Sequence, residues 1–354
     1  MAGNARSALV LQGGGALGAY ECCAARALYQ LVPNFNPDLI AGVSIGAITA
    51  TLLARPKDGL DPLRALEAFW DKVTVNAPFV PPAFRPYEAF FGNRNFFVPR
   101  SDFWNWPTWT YFYDTTALRR TLSDLVNLDA LADKKSKPEL LVSATNVKEG
   151  EITYFYSGEQ GLTLDHVIAS GSLPPAFPMT TLRVGGKEQP FWDGGLFDNT
   201  PLGEVLKHMA NPPKPDQTIY VVNLFPSEAP VPESLLQVLA RMKTLQFANK
   251  TAEDLKLLCR FNDVAELMRV LDEKLGDGHP VLKDPAYVKL KGAYVTVPNI
   301  VSVTPRDLVE EFDDADFSPQ AIEARKRKGY EETKKVLGNP ASWRDVCKAP
   351  NEGA

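Results

Sequence analysis

The sequence predicts a three-layer α/β/α fold with a mainly parallel central sheet and a helical C-terminal addition. Three observations carry that expectation. Apolar strand-like runs alternate with helical stretches from Ser7 onward, the order that builds a helix-covered parallel sheet. The first two strands each run into a glycine-rich turn that opens a helix, at Gly13-Gly14-Gly15 and at Gly42-Val43-Ser44-Ile45-Gly46. From Glu233 the pattern changes to long amphipathic helices.

Taken in order, 7–11 reads as a buried first strand, followed by a glycine loop and a helix over 19–31. In that helix Tyr20, Ala24, Ala27, Leu28 and Leu31 recur at helical spacing. A second strand from Asp38 enters the serine turn, and small residues carry the chain on as a helix to Ala54. A further helix is expected at 65–73. Residues 77–113 are rich in aromatics, interrupted by prolines and without a period, so they read as an irregular insertion. It could be packing, an acyl-pocket wall, an interfacial lid or a dimer contact. A helix at 115–125, with Asp114 as a possible cap, precedes strands at 139–145 and 151–156. A short helix at 164–169 breaks at Gly171 and Pro174-Pro175. Residues 183–191 read as a hairpin around Gly185-Gly186, with Trp192-Asp193-Gly194-Gly195 in the loop leaving it. Strands at 218–225 and 293–303, helices across 233–275 and a charged helix at 320–336 complete the chain. The proline runs at 212–215 and 226–232 are the linker candidates. The expected division is a catalytic unit at 1–228 and a mainly helical extension at 229–354 packed on the same core.

Composition narrows the function classes. The chain has 354 residues, 45% of them hydrophobic and 23% charged, as in an ordinary globular protein. A net charge of −5 argues against nucleic acid and against purely electrostatic binding to anionic lipid. The four cysteines (Cys22, Cys23, Cys259, Cys347) are too irregular for a disulfide framework and form no zinc-type pair. No signal-peptide core or membrane-length apolar run is visible, so the expected location is the cytoplasm, with transient contact at a membrane surface left open.

The serine flanked by glycines has the nucleophile-elbow pattern, in which a tight turn pushes the hydroxyl out at the head of a helix. There the positive dipole end favours developing negative charge. The loop at 13–18 also fits the dinucleotide fingerprint, which keeps an oxidoreductase as an alternative. Against it, the acidic residue expected at the end of the second strand is missing, since Asp38 precedes that strand. A nest of glycine N–H groups beside an exposed serine is what an oxyanion hole requires. Asp193, in a turn of small residues, can approach a partner closely. The chain's three histidines, His166, His208 and His279, sit in no glycine-rich loop, although chain order would accept His208 or His279 as a base. A scaffold in which the serine is dispensable is the non-enzymatic alternative.

These pieces together resemble the patatin-like phospholipases. The resemblance runs through Gly13-Gly14-Gly15-Ala16-Leu17-Gly18, the elbow at Ser44, the stretch from Ala169-Ser170-Gly171 to Ala176-Phe177-Pro178, and Asp193-Gly194-Gly195 followed by Asp198-Asn199-Thr200-Pro201. It covers residues 8–225, and the segment from Asp316-Phe317-Ser318 through Gly329-Tyr330 is similar to an extension in a bacterial branch. The resemblance implies that fold and a lipid acyl hydrolase with a Ser–Asp dyad. Ser44 would be the nucleophile and Asp193 the general base, with Gly13, Gly14 and Gly15 at the oxyanion. It implies a fatty-acyl ester as substrate and no metal or organic cofactor. Acyl transfer on the same dyad is an alternative. Leu17 stands where many members carry Arg or Lys.

Overall fold

The computed structural model describes residues 6–75, 91–209, 217–226, 228–276, 278–293, 299–306 and 313–339, with the backbone alone at 249–259, 261–262 and 292–293. Part of the aromatic insertion (77–90, with Phe79, Phe84, Tyr87 and Phe90) and the proline run 212–215 lie outside the described residues, as do Cys347 and 294–298 of the last expected strand.

Strand β1 (Ser7–Leu11) leads through the glycine loop into α1 (Ala19–Leu31), and β2 (Leu39–Gly42) into α2 (Ile45–Ala54). Helix α3 (Pro62–Val73) starts three residues earlier than its apolar pattern suggests. Pro62 fits a first helical position, and the Asp61 carboxylate accepts the Leu63 and Arg64 N–H groups. A two-stranded ribbon, β3 (Val98–Pro99) with β4 (Tyr113–Asp114), holds the described half of the aromatic insertion. Then come α4 (Thr116–Leu125), α5 (Leu128–Ala132), β5 (Glu139–Asn146), β6 (Glu151–Tyr156) and α6 (Leu164–Ser170). Strands β7 (Thr180–Val184) and β8 (Lys187–Asp193) form the hairpin, whose two-residue turn puts Gly185 and Gly186 at φ of 58° and 80°. Strand β8 runs on through Trp192 to Asp193, so the aspartate ends a strand rather than sitting in the loop after it. The chain closes with α7 (Leu202–His208), β9 (Thr218–Val222), α8 (Leu235–Leu275), α9 (Pro285–Ala293), β10 (Asn299–Val303) and α10 (Pro319–Leu337).

The sheet order is β10-β9-β1-β2-β5-β8-β7, with β6 also on β5. From β10 to β5 every pairing is parallel, and the pairings of β6, β7 and β8 are antiparallel. Alternate residues of one strand enter opposite layers: Leu9 and Leu11 pack with α1 and α2, whereas Ala8 and Val10 pack with Leu202 and Val205 of α7. The mainly parallel three-layer architecture is the one expected. Strand β6 occupies one edge of β5 along Leu141–Asn146. The opposite edge is shared end to end, by β2 along Glu139–Val142 and by β8 along Ala144–Asn146. That sharing brings the end of β8 beside the turn where β2 stops.

Where several helices were expected after Glu233, a single 41-residue helix forms. Strand β10 adds to the edge of the sheet, and α10 lies along α1. Their approach is close: a Cβ on Gly329 would stand 2.1 Å from the Tyr20 carbonyl oxygen. Tyr20 donates its hydroxyl to Glu332 at 2.7 Å in the same contact.

Candidate active site

The elbow follows from sterics. Ser44 has φ 56° and ψ −123°, a conformation that costs a non-glycine residue on the order of 1–3 kcal/mol. A Cβ on Gly42 would lie 2.1 Å from the Gly46 carbonyl oxygen, and one on Gly46 would lie 2.5 Å from that of Leu11. Both flanking positions therefore require glycine. The Ser44 side chain makes no capping bond to α2, so its hydroxyl is free to turn toward another acceptor. Its backbone N–H donates to the Ser170 hydroxyl at 3.0 Å, which ties the elbow to the end of α6.

That acceptor is Asp193, on the strand end that shares the edge of β5. The Asp193 N–H donates to the Ser172 carbonyl at 2.9 Å, and its carbonyl accepts the Thr145 hydroxyl at 2.8 Å. The carboxylate is buried. Burial pushes it up to about 7, and hydrogen bonds from the Ser44 hydroxyl and the Gly195 N–H, the latter at 2.7 Å, oppose the rise. Gly194 is required because a Cβ there would meet the Ser143 carbonyl oxygen at 2.5 Å.

The glycine loop is clamped from the segment after Asp193. Asn199 donates its amide to the Gly13 carbonyl at 3.0 Å, and its own carbonyl accepts the Gly13 N–H at 3.3 Å. The Gly13 N–H is thus engaged within the protein. Gly15 stands at φ 56°, and the Asp314 carbonyl oxygen lies 2.3 Å from where a Cβ would be. Buried Gln12 accepts the Leu224 and Phe225 N–H groups and donates to the Thr200 hydroxyl and the Phe247 carbonyl. Ser170 and Asn199 lie in stretches that carry the family resemblance, but what they and Gln12 bond to is not legible locally, because their partners are 126 to 235 residues away.

Ser44, Asp193 and the three glycines line one cavity of about 260 Å³. Its other walls are mostly apolar: Ile45, Leu173 and Phe177 with Phe96, Phe97 and Tyr113 of the aromatic insertion. The described tryptophans of that insertion do not line it. Trp104 and Trp106 are 79% and 70% exposed, and Trp109 packs between Arg100, Phe103 and Phe112. Phe247 and Phe317 close the cavity from the C-terminal part of the chain.

The histidines serve locally. His166 accepts the Thr163 N–H at 3.0 Å in a capping box, His208 stacks on Tyr156 at 4.0 Å, and His279 accepts the Val281 N–H. None of them lines the cavity. Asp38, the residue that a dinucleotide fingerprint would need, accepts the Arg6 and Ser7 N–H groups at the opposite end of the strands from the glycine loop.

A family model described as patatin-like phospholipase matches residues 9–206, and a second, described as patatin phospholipase, matches 245–349. Among solved structures, VipD from Legionella pneumophila is similar over 95% of this chain and 67% of its own, at 14% identity and a TM-score of 0.40. No curated protein matches the chain. With the first family model spanning more than half of its residues, the chain belongs to the patatin-like phospholipase family, a family of lipid acyl hydrolases.

Proposed function

We propose that the protein hydrolyses fatty-acyl esters through an acyl-serine intermediate, with Ser44 as nucleophile and Asp193 as general base. The observation that supports this best is that Ser44 and a buried carboxylate, pushed up to about 7 by burial and interacting with the Ser44 hydroxyl, line one cavity. Asp193 takes the Ser44 proton as the oxygen attacks the ester carbonyl. The Gly14 and Gly15 N–H groups receive the oxyanion, and Asp193 returns the proton to the leaving alcohol or lysolipid. Water, deprotonated by the same carboxylate, then releases the fatty acid. Loss of one such oxyanion donor typically costs about 3 kcal/mol of transition-state stabilisation. No metal or organic cofactor enters these steps. The acyl chain lies against Phe96, Phe97 and Phe177, residues 1–228 form the catalytic unit, and 229–354 act as an extension on the same core.

Release of nitrophenol from esters of graded chain length tests the dyad. Wild type and His208→Ala turn over, whereas Ser44→Ala and Asp193→Asn lose activity by at least ~1,000-fold. Turnover that survives Ser44→Ala would refute the mechanism. A new ester formed when an alcohol is added would move the reading to acyl transfer.

A further inference from the structure

The apolar part of the cavity meets an aromatic ring supplied by the C-terminal part of the chain. Past Ser44 the lining continues with Ile45 and Ile48 of α2, Leu118 of α4 and the rings of Phe96, Phe97 and Phe177, none of them charged. Phe317 faces these rings, with its own ring 5.5 Å from Phe96 and 6.2 Å from Phe97. It also stacks at 6.4 Å on Trp70 of α3, a side chain fully buried in the core that does not line the cavity. The Phe317 ring is therefore the partition between the cavity and the core behind it. Its backbone is held on both sides. The Phe317 carbonyl accepts the Val75 N–H at 2.9 Å, Arg325 donates to the Asp316 carbonyl at 2.6 Å, and Ser318 caps α10 by accepting the Ala321 N–H.

We infer that Phe317 is the residue that determines acyl-chain length: its ring is the end wall against which the terminal methyl of the chain stops. This rests on the acyl-hydrolase reading of the same cavity and adds to it which chains fit. A chain gains roughly fourfold in affinity for each methylene moved from water to an apolar wall, so affinity climbs with length only while the cavity has room. Interiors are close-packed, and Trp70 stands directly behind the ring. A chain one methylene too long must therefore push Phe317 against its backbone anchors. Removing the ring extends the cavity toward Trp70 by about three carbons, because the surroundings relax only partly into the void. The determinant is thus a residue of the C-terminal part rather than of the loops that carry the serine and the aspartate.

The test is calorimetric titration of full-length protein with straight-chain fatty acids from hexanoate to palmitate, each below its micelle concentration. Wild type gains affinity with every added methylene up to one chain length and none beyond it. Phe317→Ala moves that break about three carbons longer, the milder Phe317→Leu moves it longer by about one, and Phe317→Trp moves it shorter. Leu28→Ala, at a buried position of α1 that does not line the cavity, lowers Tm and leaves the break in place. A break unmoved in either truncation overturns the inference, as does a wild-type profile without a break. A break that Leu28→Ala shifts as far as Phe317→Ala does would overturn it too, since a loosened core would then explain the change. Titration reads no turnover, and Ser44→Ala keeps the wild-type break. Failure of ester hydrolysis would therefore refute the catalytic reading, while the break decides this one.

Discussion

At the scale of single residues, Asp193, the proposed general base, should set the pH behaviour of both activity and stability. Its carboxyl titrates near 7 in the folded protein against an ordinary 3.8, because burial outweighs its two hydrogen bonds. A general base acts only when ionised, so kcat/KM should fall about tenfold per pH unit below that value and level off above it. Stability runs the other way. Between pH ~4 and ~7 the unfolded chain ionises Asp193 while the folded chain keeps its proton, so stability is lost as pH rises through that window. Asp193→Asn removes this penalty. At pH 8 the inactive variant should be more stable than wild type by on the order of 2–4 kcal/mol, and equally stable near pH 4. Thermal melts of both proteins across pH decide the matter, and equal stability at pH 8 would mean that the carboxylate is better solvated than its burial indicates. The sequence made this residue legible because the local rule is steric: Gly194 and Gly195 mark a backbone that must pass close to its neighbours. The sequence read Gly13 with Gly14 and Gly15 as one oxyanion nest. That Asn199 takes up its N–H depends on a contact 186 residues away, which no local pattern carries.

At the scale of elements, the legible parts are those whose period or turn chemistry is self-contained. The first strand and helix, the strand at Glu151–Tyr156 and the diglycine hairpin fall into this group. The aromatic insertion does not, because its side chains divide between two surroundings. Phe96 and Phe97 turn inward and pack with Phe177 and Phe317 at ring distances of 5.5–6.2 Å. Trp104 and Trp106, on a short 3₁₀ helix at Phe103–Thr108, face out. The insertion that carries them also reaches the cavity, since Phe112 and Tyr113 donate backbone N–H groups to Ala176 in its wall. Exposed tryptophans beside an apolar cavity suit a lipid–water interface, where the ring is buried and its N–H stays wet. Replacing Trp104 and Trp106 together with Ser should leave Tm and the hydrolysis of water-soluble short-chain esters unchanged. Fatty-acid release from phosphatidylcholine vesicles should fall by about tenfold, the loss expected when an aromatic anchor no longer enters the interface. Equal losses on vesicles and soluble esters would assign the two rings to packing.

At the scale of the whole molecule, the C-terminal part is structural to the site. The sequence showed a helical extension but could not show what it covers, because each contact joins residues far apart in the chain. Phe317 lies against Trp70, Phe96 and Phe97, and its carbonyl accepts the Val75 N–H at 2.9 Å. Strand β10 pairs along the whole of β9, and Gly329 lets α10 sit on the backbone of α1. Removing residues 299–354 would therefore open one cavity wall, expose the β9 edge and uncover the α1 face around Tyr20. An uncovered parallel edge and an apolar helix face are hazards for a soluble chain. A chain ending at residue 298, or at 228, should lose near-ultraviolet circular dichroism and ester turnover together and should aggregate when concentrated. Full-length protein should unfold in one transition, with tryptophan fluorescence and far-ultraviolet circular dichroism changing together. A folded, active 1–228 fragment would show that the catalytic unit carries its own complete core, and the extension would then be an addition to the enzyme rather than one of its walls.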